Sequence, residues 1–374
     1  MSLSKDIQQL TDAAYYDRCN TINYNIDQLI KTMQDSNNGI YHARKGDCVV
    51  PLFKILQSNQ CNSDCTYCTN CKKHKYQRAS ISPEALAKIY DQYYQEKKVE
   101  GLFLSSGIVK DADFSTEQMI KTAEILRNQY SYKGYIHLKI IPGTNKDYIK
   151  QAMQLADRVS INIEAATQEG FEKLTSVKDY KIDVLRRLKW IDSLHKHDPS
   201  LAPAGHTTQI IVGANDETDK DILKTVYNLR KDYNIKENYF SSFIPIKDTP
   251  LEEHEAEKNI RTGRLYQAEH LFSSYNFKLD ELYFEEDGNI ALNEDPKFVA
   301  AENNFERFPV DVNVASYKEL IRVPGIGVKS ARRIIHMRKN GSKINHISDL
   351  RKIGANTKKC ELFIKINGSY QSRL

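Results

Sequence analysis

Residues 61 to 71 read CNSDCTYCTNC, four cysteines in eleven positions of a 374-residue chain that holds only seven. Closely spaced cysteines in a secreted chain usually form a disulfide framework. Here the N-terminus, MSLSKDIQQL, has no apolar stretch of signal-peptide length, and nowhere does a run of about 18 apolar residues offer a membrane span. The chain therefore reads as cytoplasmic and reducing, with no membrane partner, and clustered thiols in that setting hold a metal or do redox chemistry.

What surrounds the cluster sets the fold class. Apolar, β-branched runs at VVPLFKIL (49–56), GLFLSS (101–106), YIHLKII (135–141), RVSINIE (158–164), TTQIIVG (207–213) and YFSSFIPI (239–246) alternate with amphipathic helical stretches. Ser82 before Pro83 reads as a helix cap with a first-turn proline, and Ser115 with Gln118 as a capping box. Six strands separated by helices predict an α/β fold of parallel βα units, closing into a full or partial (β/α)6 barrel or opening into a doubly wound sheet, in either case with the site on the loops at the strand C-termini. The cysteine loop follows the first of these strands.

Cys61, Cys65 and Cys68 form CxxxCxxC, with Tyr67 immediately before the last cysteine. Three thiolates in one such loop can hold three irons of a four-iron four-sulfur cluster and leave the fourth iron open. A zinc knuckle from Cys61, Cys65 and Cys68 with Cys71, or with His74, is the alternative, although zinc knuckles normally draw ligands from two separated elements.

The cysteine pattern resembles the radical S-adenosylmethionine (SAM) superfamily, in which the open iron binds SAM and a 5′-deoxyadenosyl radical is produced. The resemblance implies a 4Fe-4S cluster on Cys61, Cys65 and Cys68, SAM as cofactor, and a small flavodoxin- or ferredoxin-type electron donor. It also implies SAM contacts at Tyr67, at the turn Ser105, Ser106 and Gly107 after the second strand, at Asn162 and Glu164 on the fourth, and at Gly213 after the fifth. The usual Gly-Gly-Glu wording of that turn is absent. An ion pair with a lysine such as Lys139 is the alternative for Glu164.

Charge divides the chain. Residues 311–374 carry 14 Lys/Arg against 4 Asp/Glu, a net +10, which leaves 40 against 45, or −5, for residues 1–310. A basic tail on an acidic body points to a polyanion partner. Within it, NVASYKELIRVPGIGVKSARRIIHMRK (313–339) reads as a helix, a Pro324-Gly325-Ile326-Gly327 turn and a second helix. Lys329, Arg332, Arg333 and His336 fall on one face of that helix; Val328, Ala331 and Ile335 would pack the other. The stretch closely resembles the helix-hairpin-helix motif, which implies non-specific contacts to the phosphate backbone of DNA through Pro324–Gly327, Lys329, Arg332 and Arg333. ISDLRKIGANTKKC (347–360) reads as a degenerate second copy.

These expectations divide the chain into an N-terminal segment (1–46), a radical SAM core (47–250), a helical or irregular connection (251–310) and a small all-α helix-hairpin-helix domain (311–374). The wording RASISPEAL, GLFLSSGIVK, GYIHLKIIPG, APAGHTTQIIVGA, SSFIPI, RLYQAEHL and VPGIGVKSARRI resembles bacterial DNA modification or repair radical SAM proteins, a family linked to a uracil-DNA glycosylase. That implies a radical enzyme acting on a base or lesion in DNA. An RNA- or tRNA-modifying radical enzyme and a non-catalytic DNA-binding protein with a structural metal are the alternatives. Cys71 reads as a bystander or a radical partner; Cys19 and Cys48 could donate hydrogen, with packing the blander reading for both, and Cys360 reads as structural.

Overall fold

The computed structural model describes residues 3–15, 39–45 and 48–370. Cys19 lies outside them. The chain forms two compact units, residues 1–217 with 228–262, and residues 218–227 with 263–374.

In the first unit seven strands lie side by side in sequence order: β1 (Ile40–Lys45), β2 (Cys48–Leu56), β3 (Gly101–Ser105), β4 (Tyr135–Lys139), β5 (Arg158–Ser160), β6 (His206–Val212) and β7 (Asn238–Ser242). The pairs from β2 to β7 are all parallel, and helices fill every crossover, which is the α/β partial barrel expected. The addition is β1, an antiparallel partner of β2 in a segment that sequence reading left without structure.

Register explains the layers. Leu102, Leu104, Ile136, Leu138, Val159, Ile210 and Phe240 alternate along neighbouring strands and are at most 1% exposed. They form the apolar layer on the helix side, where truncating one such residue to alanine costs about 2–5 kcal/mol. Lys54, Phe103, His137 and Ser160 have the opposite parity and interact in a row across β2 to β5. Lys54 Nζ lies 4.8 Å above the Phe103 ring, Phe103 meets His137 edge to face at 4.3 Å, and His137 Nε2 is 2.9 Å from Ser160 Oγ.

Two local expectations need correction. The helix Ala112–Asn128 is capped by Asp111, whose Oδ1 accepts from Phe114 N at 2.7 Å; Ser115 lies inside the helix and donates to the Asp111 carbonyl. The carboxylate stands one turn earlier and takes the free amide first. The fourth run, 158–164, is also mostly not strand: β5 ends at Ser160 because the Thr208 hydroxyl replaces ladder bonds, donating to Ile161 O and accepting from Ile163 N. Glu164 then sits in a lone bridge to Ile210 at φ 60°. Ser82 does cap the helix Pro83–Gln95 as expected.

In the second unit the helical C-terminal region also holds a small sheet of β8 (Val310–Asp311), β9 (Ile364–Ile366) and β10 (Ser369–Tyr370). Its core gathers Val312, Leu320, Val323, Ile326, Ala331, Ile334, Leu350, Cys360 and Phe363. Ile334, rather than Val328 or Ile335, is the wholly buried aliphatic on the second hairpin helix, because the helix turns its Ser330-Ala331-Ile334 stripe inward.

Candidate functional site

The loop after β2 is closed at its base. Ser58 bridges Ser80, and Asn59 exchanges bonds with Gln77 and Ala79. Inside it the Arg78 guanidinium donates to four carbonyls: Asn59 at 2.7 Å, Asn70 at 3.0 Å, Cys71 at 2.6 Å and His74 at 3.0 Å. One planar fork thus fixes both flanks of the cysteine run. His74 is engaged through both ring nitrogens, with Thr69 O at 2.8 Å and Lys247 O at 3.1 Å.

The three motif sulfurs face donors. Cys61 Sγ accepts from the amides of Ser63 and Ile108, Cys68 Sγ from that of Asn70, and Cys65 Sγ lies 3.2 Å from Ser63 Oγ. Amides aimed at sulfur suit thiolates that carry charge to a metal. Burial drives the Cys68 thiol far above its ordinary range, with the Cys65 and Cys61 sulfurs adding to it, so this sulfur needs a cation to ionise. Among the described residues no three His, Cys, Asp or Glu side chains converge as a single-ion site requires. A four-iron cluster gives each thiolate its own iron, and three cysteines in one loop are the donor set it takes.

The turn after β3 docks on this loop. Gly107 N donates to Ser58 O at 2.7 Å, and a Cβ at Gly107 would lie 2.2 Å from the Gln60 carbonyl oxygen, so only glycine fits. Ser105 is buried, and Ser106 Oγ donates to the Gly107 carbonyl. Opposite, the Tyr67 phenol donates to Glu164. Burial, then the Glu164 charge, pushes its ionisation well above the ordinary range. Cys61, Cys65, Cys68, Tyr67, Ser105–Gly107 and Glu164 are therefore neighbours. Asn162 is buried on the same stretch as Glu164. Gly213, at φ 84°, faces Glu257, whose Cβ would lie 2.7 Å from an added methyl, and its carbonyl is 2.9 Å from His254 Nε2.

Sequence reading missed three residues of this site. Besides Arg78, Lys178 places Nζ 3.1 Å from Cys65 Sγ. Burial opposes its charge, but Cys65 and Glu164 outweigh burial and hold it as a cation. Asp64 accepts from Thr175 Oγ1 at 2.7 Å and from the Ser176 hydroxyl. Burial works against its charge, yet these bonds prevail and bring its carboxyl down to about 2. Asp64 could have been noticed inside CNSDC; Lys178 stands in SVKDY without any signal.

Three sulfurs in one loop after the first parallel strand of a partial barrel, with a glycine turn against them, set the context for comparison. The family model of the radical SAM superfamily matches residues 55–227. Residues 55–227 are a radical SAM domain. Radical SAM domains use a 4Fe-4S cluster and SAM, and Cys61, Cys65 and Cys68 lie within the matched residues. A helix-hairpin-helix motif matches residues 307–359. No curated protein matches the chain. Among solved structures, the FeFe-hydrogenase maturase HydG is 13% identical, with 58% of this chain and 48% of that one covered at a TM-score of 0.47. Methylornithine synthase is 14% identical, with 59% and 60% covered at 0.47. A radical SAM methyltransferase from Sphaerobacter thermophilus is 9% identical, with 66% and 79% covered at 0.45. The chain spans about half the length of the first and three fifths of the second.

In the hairpin, Ser316 and Glu319 form a capping box on the first helix. Gly325 turns at φ 78°, and a Cβ there would lie 2.3 Å from the Asn356 carbonyl. Gly325 O accepts from Asn356 N at 2.8 Å, which joins the turn to the second copy, where Gly354 repeats the positive φ at 88°. Pro324 is buried, and Ile326, wholly buried, belongs to the core. Gly327 caps the helix Val328–Lys339. Lys329 and Arg332 are exposed, whereas Arg333 donates to Ile353 O at 2.8 Å. Among the described residues no helix is long and apolar enough to cross a membrane.

Proposed function

We propose that this chain is a radical SAM enzyme that modifies or repairs a base or lesion in DNA. The observation that carries the reading is the joining, in one polypeptide, of a radical SAM domain and a helix-hairpin-helix motif that leaves Lys329 and Arg332 exposed. Cys61, Cys65 and Cys68 would hold the cluster. Ser105, Ser106 and Gly107 would offer backbone to the SAM amino group, and Glu164, to which Tyr67 donates, with Asn162 on the same stretch, would accept from the ribose hydroxyls. Gly213, whose missing side chain makes room for Glu257, would stand on the adenine side. When bound, the cluster and SAM together supply a 5′-deoxyadenosyl radical that removes hydrogen from the substrate.

The chain's own residues position what reacts. Lys54, Phe103 and His137 on the inner sheet face suit a planar, anionic unit such as a nucleotide turned out of the stack. The Pro324–Gly327 turn, Lys329, Arg332 and Arg333 grip phosphates without reading sequence. A small flavodoxin- or ferredoxin-type protein supplies the electron, and a uracil-DNA glycosylase acts in the same process.

Anaerobic protein given SAM, dithionite and duplex DNA should release 5′-deoxyadenosine faster than without DNA and leave a mass change in a nucleoside. Transfer RNA should not replace the duplex. Stimulation by transfer RNA alone would sink the DNA reading in favour of RNA modification.

A further inference from the structure

The cysteine motif calls for no cation, yet one stands against it. Lys178 Nζ is 3.1 Å from Cys65 Sγ, and this lysine is half-buried, where a charge must be matched. It comes from the segment after the helix Gln168–Leu174, far along the chain from the cysteines.

That segment is stitched to the cysteine loop at three points. Asp64, the neighbour of Cys65, takes the hydroxyls of Thr175 and Ser176 and the Ser176 amide, at 3.2 and 3.3 Å to its two oxygens. Thr66, on the other side of Cys65, donates its amide to Leu174 O at 2.9 Å. Both neighbours of one cysteine therefore hold the stretch that delivers Lys178.

A charged donor on a ligating sulfur favours whichever state of an iron–sulfur centre carries more negative charge, which is the reduced one. We propose that Lys178, held in place by Asp64, tunes the reduction potential of the iron–sulfur centre, raising it through its contact with Cys65 Sγ. Lys178 is a positioning residue in this role, acting through a ligand and not on the substrate. The Glu164 carboxylate, which also faces Lys178, offsets part of the effect without cancelling it, because the direct contact is to sulfur.

The test needs no turnover. Wild type, K178M, K178R and D64N are reconstituted without oxygen and titrated potentiometrically in the absence of SAM, with the reduced cluster followed by electron paramagnetic resonance. K178M should move to lower potential, with the reduced-to-oxidised ratio at a fixed potential falling about tenfold, about 59 mV for one electron. K178R should restore most of the shift, and D64N should move in the direction of K178M by less. A wild-type potential in K178M overturns the proposal, including the case where only its SAM affinity falls, since the lysine would then be a SAM anchor. If K178M fails to hold iron, K178Q and D64N carry the comparison, and wild-type potentials in both overturn it. The inference rests on an iron–sulfur reading of the three cysteines. Wild-type protein without iron and sulfide would fail that reading, whereas a full cluster with an unmoved K178M potential fails this one alone.

Discussion

Arg78 and Cys71 are joined by a single short bond: guanidinium Nη2 donates to the Cys71 carbonyl at 2.6 Å, and the same group holds three more carbonyls around the cysteine run. A lysine cannot span that fork. Arg78→Lys should therefore leave at least two carbonyls unserved and loosen the loop by about 2–4 kcal/mol. Iron per chain after anaerobic desalting checks it, and the variant should retain clearly less than wild type.

The four clustered cysteines should separate into two classes. Cys61→Ala, Cys65→Ala and Cys68→Ala should each lose the brown colour, the sulfide and SAM cleavage. Cys71→Ala should keep about four irons per chain, because Cys71 is buried and contributes to the loop through its backbone. Iron and sulfide analysis decides it; loss of iron in Cys71→Ala would make that sulfur a ligand.

For the tail, salt dependence is the sharpest measure. If the hairpin neutralises about three or four phosphates, the slope of log affinity against log salt should lie near −3 to −4. Lys329→Ala with Arg332→Ala should lower that slope by up to about 2, with little change in sequence preference. Arg333→Ala should lower the slope by up to about 1, since its exposed guanidinium bonds Ile353 O through only one nitrogen. Fluorescence anisotropy on a labelled duplex reads all three.

Lys297 should give the second unit a pH signature. Burial, which outweighs the pull of Asp295, brings its ammonium down to about 7 from 10.5. Between those values the unfolded chain binds the proton and the folded chain does not. This group's contribution to stability therefore rises with pH across the window and is least favourable below it, with a slope of up to about 1.4 kcal/mol per pH unit. Lys297→Met should flatten that part of the stability curve. Urea titrations from about pH 7 to 9 on both proteins compare the slopes.

Much of the barrel was legible because its strands are covered on the helix side and read as near-continuous β-branched runs. β1 was not, since IYHARK alternates too briefly to stand out from loop. The early end of β5 depends on a hydroxyl in β6, Thr208, and no window around residue 160 contains it. The cysteine spacing singled out the candidate loop, and Gly107 was noticed as a glycine, though its reason, the Gln60 carbonyl against it, is tertiary. Lys178 was invisible because its meaning comes from a contact 113 positions away.

The stitch between Asp64 and Thr175 spans 111 positions of chain. During synthesis the cysteines leave the ribosome long before the segment that walls them in. The site is thus finished only when nearly half the polypeptide has been made and β5 has docked. A nascent chain halted earlier would expose its thiols to solvent without the cation that stands beside them.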